Sequence, residues 1–160
     1  MRATFTDHPG ADIFASGADV LVCPVNCVPG VMGKGLALEF AKRWPALVND
    51  HDFAFRRHGF HVPPRKGPLV ARARSVGELS VVFVATKRHW RERSSLPLVG
   101  ESLAQFRQWI APYHPRAVAI PALGCGLGGL RWADVRPLIV EALADLPLHV
   151  MLYQPHEVAP

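Results

Sequence analysis

The sequence runs to 160 residues, 49% of them hydrophobic and 19% charged, which is enough for one domain that buries about two thirds of its unfolded surface. No apolar run approaches the roughly 18 residues needed to cross a bilayer, and Met1 to His8 lacks the apolar core of a signal peptide, so no membrane partner is expected and the cytoplasm is the expected compartment. The net charge of +5 suits a polyanionic partner, while the three cysteines, Cys23, Cys27 and Cys125, lack the second pair of a zinc site and read as reduced, packed thiols.

Strands and helices then alternate, with no repeat and no low-complexity linker. Arg2 to Thr6 reads as an edge strand, followed by a His8-Pro9-Gly10 turn and the polar-apolar pair Asp12-Ile13. Val20 to Val25 is apolar on both faces and therefore central, ending at Asn26. Gly30 to Gly35 opens a helix from Leu36 to Trp44, with Leu36, Phe40 and Trp44 on one face, and a second helix carries Phe53 and Phe55. Pro63 to Gly67 is a stiff basic loop, after which Pro68 to Ala73 and Ser80 to Ala85 read as strands joined by a turn at Val76-Gly77-Glu78. Thr86 to Arg93 is the most charged stretch. Val99, Leu103, Phe106 and Ile110 recur at helical spacing, and Arg116 to Ile120 is a short buried strand. It runs into a glycine-rich loop ending at Leu130, behind which Trp132 to Leu143 reads as a helix that tolerates Pro137 only near its first turn. Leu148 to Tyr153 is a last strand. Trp44, Trp109, Phe53 and Phe106 are assigned to the core.

This order predicts a mixed, mainly parallel sheet between helices, and in such sheets ligands sit at the carboxyl ends of the strands. Asn26 to Gly35, Thr86 to Arg93 and Leu123 to Leu130 each follow a strand, so all three line one cleft. Gly124, Gly126, Gly128 and Gly129 let backbone N–H groups turn toward an anion, and the helix that follows adds a partial positive charge. A ligand with two phosphates and sugars would use every part: backbone amides for the pyrophosphate, Asn26 for a sugar hydroxyl and Asp12 for an exocyclic amine. A bulky residue at Gly126 would collide with a phosphate or forbid the required φ. No Walker sequence is present and no Gly-x-Gly-x-x-Gly opens the first strand-helix unit, which disfavours ATP hydrolysis and ordinary NAD binding. The cleft stretches offer no carboxylates or histidines at ligand spacing, so neither a metal nor a cofactor is expected.

Asn26 to Phe40, Thr86 to Arg91, and Pro121 to Leu130 with Trp132 together resemble the macrodomain family, which binds ADP-ribose. Within it they resemble the branch containing the macrodomain of the antitoxin that reverses DNA ADP-ribosylation, and the related terminal ADP-ribose protein glycohydrolases. The resemblance covers nearly the whole chain and implies a single domain over 1–160, a three-layer α/β/α fold with a central sheet of about six strands. It implies that Asp12, beside Ile13, holds the adenine amine. The first glycine loop, with Asn26, Val31, Met32, Gly33 and Gly35, covers the distal ribose. Leu123, Gly124, Cys125, Gly126, Leu127 and Gly128 cradle the pyrophosphate, Thr86 and His89 complete the ligand contacts, and Lys87 is catalytic. Two departures stand out: Ala11 replaces a glycine before the aspartate, and Pro29 stiffens the first loop.

Lys87 also draws attention without the resemblance. It lies one residue past a buried strand, where the loop must face the cleft, and Arg88, Arg91 and Arg93 nearby would lower its pKa by repulsion between like charges. A neutral amine attacks an anomeric carbon; a charged one steadies a leaving group. Both roles are open. His89 and Trp90 either stack on a nucleobase or pack on the domain, with Arg88 and Arg91 on phosphates in the first case. Lys34 between glycines faces solvent, and Cys125, with no base nearby in sequence, fits the turn and is no nucleophile.

The expected activity is removal of ADP-ribose from a macromolecule. The alternatives are a module that only binds ADP-ribose, an ADP-ribose 1''-phosphate phosphatase, and release of ADP-ribose from acidic protein side chains. In the protein-directed relatives an aspartate stands two residues after the Gly-Cys-Gly, where this chain has Gly128, and a bare glycine leaves room for a nucleobase as leaving group. ADP-ribosylated DNA, as a thymidine adduct, is therefore favoured over protein. The chain ends at Pro160 without the further domain of such an antitoxin, which leads to the expectation of a freestanding enzyme.

Overall fold

The computed structural model describes residues 2–58 and 68–155, so the basic loop expected over 63–67 lies outside the described residues. Six strands, β1 (Thr4–Asp7), β2 (Val20–Asn26), β3 (Val70–Val76), β4 (Leu79–Lys87), β5 (Ala117–Pro121) and β6 (His149–Tyr153), form one sheet in the order β1-β6-β5-β2-β4-β3. Every neighbouring pair is parallel except β3 with β4. That pair is a hairpin turning at Gly77, whose φ of +61° falls in the region that favours glycine. Four helices complete the chain: α1 (Gly35–Arg43), α2 (Leu47–His58), α3 (Leu96–Ile110) and α4 (Trp132–Leu143).

Alternation along the central strands divides the core into two layers. Val20 and Val22 of β2 and Val82 and Val84 of β4 share one buried cluster with Val99, Leu103 and Phe106 of α3 and Val135 and Ile139 of α4. Leu21, Cys23, Val81 and Phe83 point to the other face, where Phe40 of α1 and Leu47 and Phe55 of α2 cover them. The result is the expected three-layer α/β/α arrangement, with the expected mixed, mainly parallel sheet.

Three local expectations are corrected. Phe53 is 63% exposed while Phe55 is buried, because residues two apart on a helix point to nearly opposite sides. Helix α4 runs through Pro137 at its sixth position, beyond the first turn. The interrupted helical bonding costs about 3 kcal/mol, which burial of Val135, Ile139 and Leu143 at about 1.5–3 kcal/mol each offsets. Strand β4 extends past Ala85, so Thr86 and Lys87 belong to the sheet rather than to the loop, with Lys87 opposite Asn26 across an irregularity in the pairing.

At the amino ends of the central strands, Asp19 joins three of them. Its carboxylate accepts the N–H groups of Arg116 (2.7 Å) and Ala117 (3.2 Å) and the Arg116 guanidinium (3.2 Å), while its carbonyl accepts the Ser80 N–H (2.8 Å). Burial pushes this carboxyl up, but the hydrogen bonds from Arg116 and Ala117 outweigh it and hold the group below its ordinary range. A carboxylate held low in the fold stabilises it above the unfolded value of about 3.9, and that contribution is lost as the pH falls from there through the lowered folded value. Asp19→Ala is expected to cost about 1–2 kcal/mol at neutral pH, the cost of two N–H groups left without their acceptor. Denaturant unfolding across the acid range checks both points, since the gap between wild type and variant should narrow below about pH 3.9.

Candidate functional site

Strands β5, β2 and β4 are adjacent and parallel, so the segments that follow them emerge side by side at one edge of the sheet. Hydrogen bonds tie those segments together. The Cys27 N–H donates to the Arg88 carbonyl (3.0 Å), and the Ser94 N–H donates to the Gly128 carbonyl (3.1 Å). The two glycine loops meet where Leu127 Cδ1 lies 3.6 Å from the place a Gly35 Cβ would occupy. At the same sheet edge, beyond β1, β5 and β6, a cavity of about 710 Å³ is lined by Asp12, Ile13, Phe14, Leu36, Pro121 and Tyr153. Lys87 and the loop over 123–128 do not line it, so the expectation that one cleft takes in all three segments is not met by this cavity.

Asp12 caps a single helical turn, Ile13–Ala15, by accepting the Phe14 N–H on one carboxylate oxygen (2.9 Å), while the second oxygen has no hydrogen bond among the described residues. Ile13 is buried beneath it. Ala11, standing in place of a glycine, takes no positive φ and needs none. On the cavity wall the Arg43 guanidinium lies 4.5 Å from the centre of the Phe14 ring.

The first glycine loop is curled around its own asparagine. Asn26 Oδ1 accepts the Val28 N–H (2.8 Å) and Nδ2 donates to the Val31 carbonyl (3.1 Å), leaving one amide hydrogen for the expected sugar hydroxyl. Met32 is buried, Val31 half-buried and Lys34 exposed, while Gly33 borders open space. Gly35, at φ +59°, begins α1 in a conformation that favours glycine. Behind this loop stands a residue that motif reading passes over, His51 of α2, buried and hydrogen-bonded to the Asn26 carbonyl and the Gly30 N–H. Its signal in the sequence is Leu47-His51-Phe55, a polar side chain on an apolar stripe of period four.

Lys87 is half-buried and ends β4, directly after the buried Thr86. Among the described residues its side chain makes no ion pair and no hydrogen bond. Two of the three arginines expected to crowd it have contacts of their own. The Arg91 guanidinium sits 4.7 Å from the Trp90 ring centre, and Arg93 Nη1 lies 3.9 Å from the place of a Gly129 Cβ. His89 accepts the Arg91 N–H on Nδ1 (3.1 Å) and stacks on Trp90, ring centres 5.3 Å apart. Trp90 remains 41% exposed, so it forms a surface stack with its neighbours rather than a piece of core.

In the second loop the Cys125 N–H donates to the Ala122 carbonyl, that of Gly129 to Gly126, and that of Leu130 to Gly124 (2.9–3.1 Å). Between them three successive donors, the N–H groups of Gly126, Leu127 and Gly128, are left without an acceptor among the described residues. Gly124 takes a φ of +73°, and a Cβ there would meet Ser94 at 2.9 Å. At Gly128 a Cβ would lie 2.6 Å from the Gly124 carbonyl oxygen and 2.8 Å from Ser94 Cβ, so glycine is demanded by packing beneath the loop. The expectation that this glycine makes room for a leaving group is therefore corrected. Gly126 has no positive φ and nothing within 4 Å of a Cβ, so the conformational half of the argument for it falls and only close approach of a ligand remains. Burial, followed by the charge of Asp134, pushes the Cys125 thiol up to about 11, which makes it a poor nucleophile at neutral pH. Among the described residues no group of three His, Cys, Asp or Glu side chains is arranged to hold a metal ion, and no helix is long and apolar enough to cross a membrane.

No protein-family model matches the chain. It is 35% identical over 149 residues to the DNA ADP-ribosyl glycohydrolase of Mycobacterium tuberculosis, an alignment that covers 92% of this chain and 42% of that protein. The chain thus spans about two fifths of the length of the curated relatives it matches. Among solved structures it is similar to the macrodomain of Mycobacterium tuberculosis DarG, with 30% identity, a TM-score of 0.74, and coverage of 93% of this chain and 97% of that one. It is also similar to Thermosipho africanus DarTG in complex with ADP-ribose, at 29% identity and a TM-score of 0.80, covering 93% of this chain and 41% of that one. With a six-stranded sheet of this order, two glycine loops meeting at its edge and 30% identity across almost the whole of a solved macrodomain, the chain belongs to the macrodomain family, together with the macrodomains of DarG.

Proposed function

We propose that the chain acts as a single domain that binds ADP-ribose along the carboxyl edge of its sheet and removes it from modified DNA by hydrolysis. The observation that carries this reading is the run of N–H groups at Gly126, Leu127 and Gly128 without an acceptor among the described residues, in the segment that leaves β5, two strands across the sheet from β4, which ends at Lys87. Relatives named DNA ADP-ribosyl glycohydrolase, and the solved complex of Thermosipho africanus DarTG with ADP-ribose, support it. In this reading the pyrophosphate accepts from the three N–H groups, the adenine amine donates to the free oxygen of Asp12, and the distal ribose lies under the loop from Asn26 to Gly35. Its anomeric carbon is then presented to Lys87. Water replaces the base: the bond from the anomeric carbon to the base nitrogen breaks, a carbon–oxygen bond forms, and the departing base takes up a proton. A lysine with no carboxylate partner among the described residues either steadies the departing base as a cation or, when deprotonated, attacks the anomeric carbon first and is then displaced by water.

DNA as the modified macromolecule rests on the names of the relatives and on the charged surface beside Lys87. Arg91, Trp90 and His89 form an exposed cationic and aromatic stack of the kind that holds unpaired nucleotides. The glycine at 128 adds nothing to this choice, since Ser94 dictates it.

Three outcomes test the reading. Lys87→Ala is expected to keep ADP-ribose affinity within about threefold and to slow release at least a hundredfold, roughly the contribution of a lost acid, base or nucleophile. Calorimetry and a release assay on the same preparation check it, and borohydride trapping of a covalent adduct separates the two roles of the amine. Gly126→Leu should leave the melting temperature nearly unchanged and weaken ADP-ribose at least tenfold through contact with the pyrophosphate; unaltered affinity would place the phosphates elsewhere. A thymidine-linked ADP-ribose oligonucleotide and a glutamate-modified protein, assayed side by side at matched salt, are expected to turn over in that order of rate. Faster turnover of the protein would move the assignment to protein while keeping the hydrolase.

A further inference from the structure

The loop from Asn26 to Gly35 is held from behind by a side chain that belongs neither to the ligand contacts nor to the bond-breaking step. His51 is 0% exposed. The Gly30 N–H donates to its Nδ1 at 3.0 Å, and its Nε2 lies 2.8 Å from the Asn26 carbonyl oxygen. An amide N–H can only donate and a carbonyl can only accept, so the two partners require a neutral ring with its hydrogen on Nε2. Phe55 of α2 packs against the ring at 4.6 Å between centres and Phe83 of β4 meets it edge-on at 5.2 Å.

The charged group nearest to it is Asp52 on the same helix, whose carboxylate also lies 3.4 Å from the place of a Gly30 Cβ. That carboxylate is already paired with Arg56 at 2.7 Å. Asn26 and Gly30 of the loop offer neutral backbone, Phe83 offers an apolar ring, and Cys27 of the same core layer stays protonated, its thiol pushed up to about 11 by burial. Burial pulls the imidazole below its ordinary value, outweighing the upward pulls of the Asn26 carbonyl and the Asp52 charge.

We propose that His51 is the positioning residue of the first glycine loop: in its neutral form it pins Asn26 and Gly30 in the shape the ligand needs, and on gaining a proton at Nδ1 it faces the Gly30 N–H with a second donor and releases the loop. The ligand half of this inference rests on the ADP-ribose reading; the loop half does not. The direction follows from linkage. A histidine held low in the fold lends its full support above the unfolded value of about 6.5, and that support is lost as the pH falls from there through the lowered folded value.

His51→Gln and His51→Phe separate this role from simple packing. Glutamine offers an acceptor and a donor on one planar group but does not titrate, whereas phenylalanine fills the space and leaves both backbone groups unpaired. At mildly alkaline pH, His51→Gln is expected to bind ADP-ribose within about threefold of wild type and His51→Phe roughly tenfold more weakly, the scale of a lost buried hydrogen bond. As the pH falls through the lowered folded value of His51, which lies below its ordinary 6.5, wild type should lose affinity and His51→Gln should not show that loss. Equal affinity in His51→Phe, or an acid loss as large in His51→Gln as in wild type, would overturn the proposal. Should His51→Phe fail to fold, the comparison of wild type with His51→Gln decides. Nitrogen-15 NMR of the ligand-free protein supplies the independent arm: the ring hydrogen is expected on Nε2 and the Gly30 amide resonance should move with the His51 titration. A ring protonated on Nδ1 alone at alkaline pH, or a Gly30 amide indifferent to the titration, would refute the loop role. Absence of ADP-ribose binding at every pH would sink the ligand reading while the Gly30 resonance still judged His51.

Discussion

Parallel pairing of β5, β2 and β4 is the constraint on which the site depends. Parallel neighbours cannot be joined by a tight turn; each connection must leave the sheet, cross a face as a helix and return to the opposite end. All three carboxyl ends therefore open on one edge, and the segments that leave them have to turn there at close quarters. The apolar content of β2 and β4, buried on both faces, fixes these strands at the centre, so the place where the loops converge follows from where hydrophobic residues can be hidden.

Convergence alone would give a cluster of mobile loops. Stiffness comes from polar groups spent internally. Asn26 closes the first loop around itself, Asp12 caps its own turn, and the amides of Cys125, Gly129 and Leu130 close the second loop. Among the described residues, what these loops leave without a partner includes three consecutive N–H groups, one carboxylate oxygen, one amide hydrogen and the Lys87 ammonium. A ligand meeting groups already ordered loses little further entropy on their account, which is how so small a set of contacts can hold a flexible nucleotide. The cost of this economy is tight packing under the second loop, where Ser94 leaves no space for a side chain at Gly128.

Much of this was legible in the sequence because it rests on local pattern. The long apolar run at Val20, the helical spacing from Val99 to Ile110 and the hairpin turn at Gly77 each announce an element whose identity needs no distant partner. Lys87 and the glycines of the second loop stood out because charge or glycine directly after a buried strand is conspicuous. Two of the misses, Gly128 and His51, share one cause, dependence on residues far away in the chain. Gly128 was read by what a ligand would need, whereas Ser94, 34 residues earlier, decides it. His51 carries no motif: its place on the stripe Leu47-His51-Phe55 marks a buried polar side chain, but the groups it serves are a carbonyl and an amide more than 20 residues upstream. Phe53 and Phe55 look alike in composition and differ only in which way a helix turns them.

The irregular step at the end of β2, where Asn26 skips Thr86 and pairs with Lys87, has a bearing on how such a chain can change over time. A strand alternates its side chains between two faces, so one residue more or less shifts the phase of everything that follows it. Inserting or deleting a single residue between Ala85 and Lys87 would turn the lysine from one face of the sheet to the other, whereas replacing Thr86 would leave its aim untouched. The stretch from the core of β4 to the lysine is thus open to variation in kind and closed to variation in length. The segment from His89 to Arg93, beyond the last bond to the neighbouring loop at Arg88, is under no such restriction, and a lineage can alter what it approaches there without disturbing where the amine points.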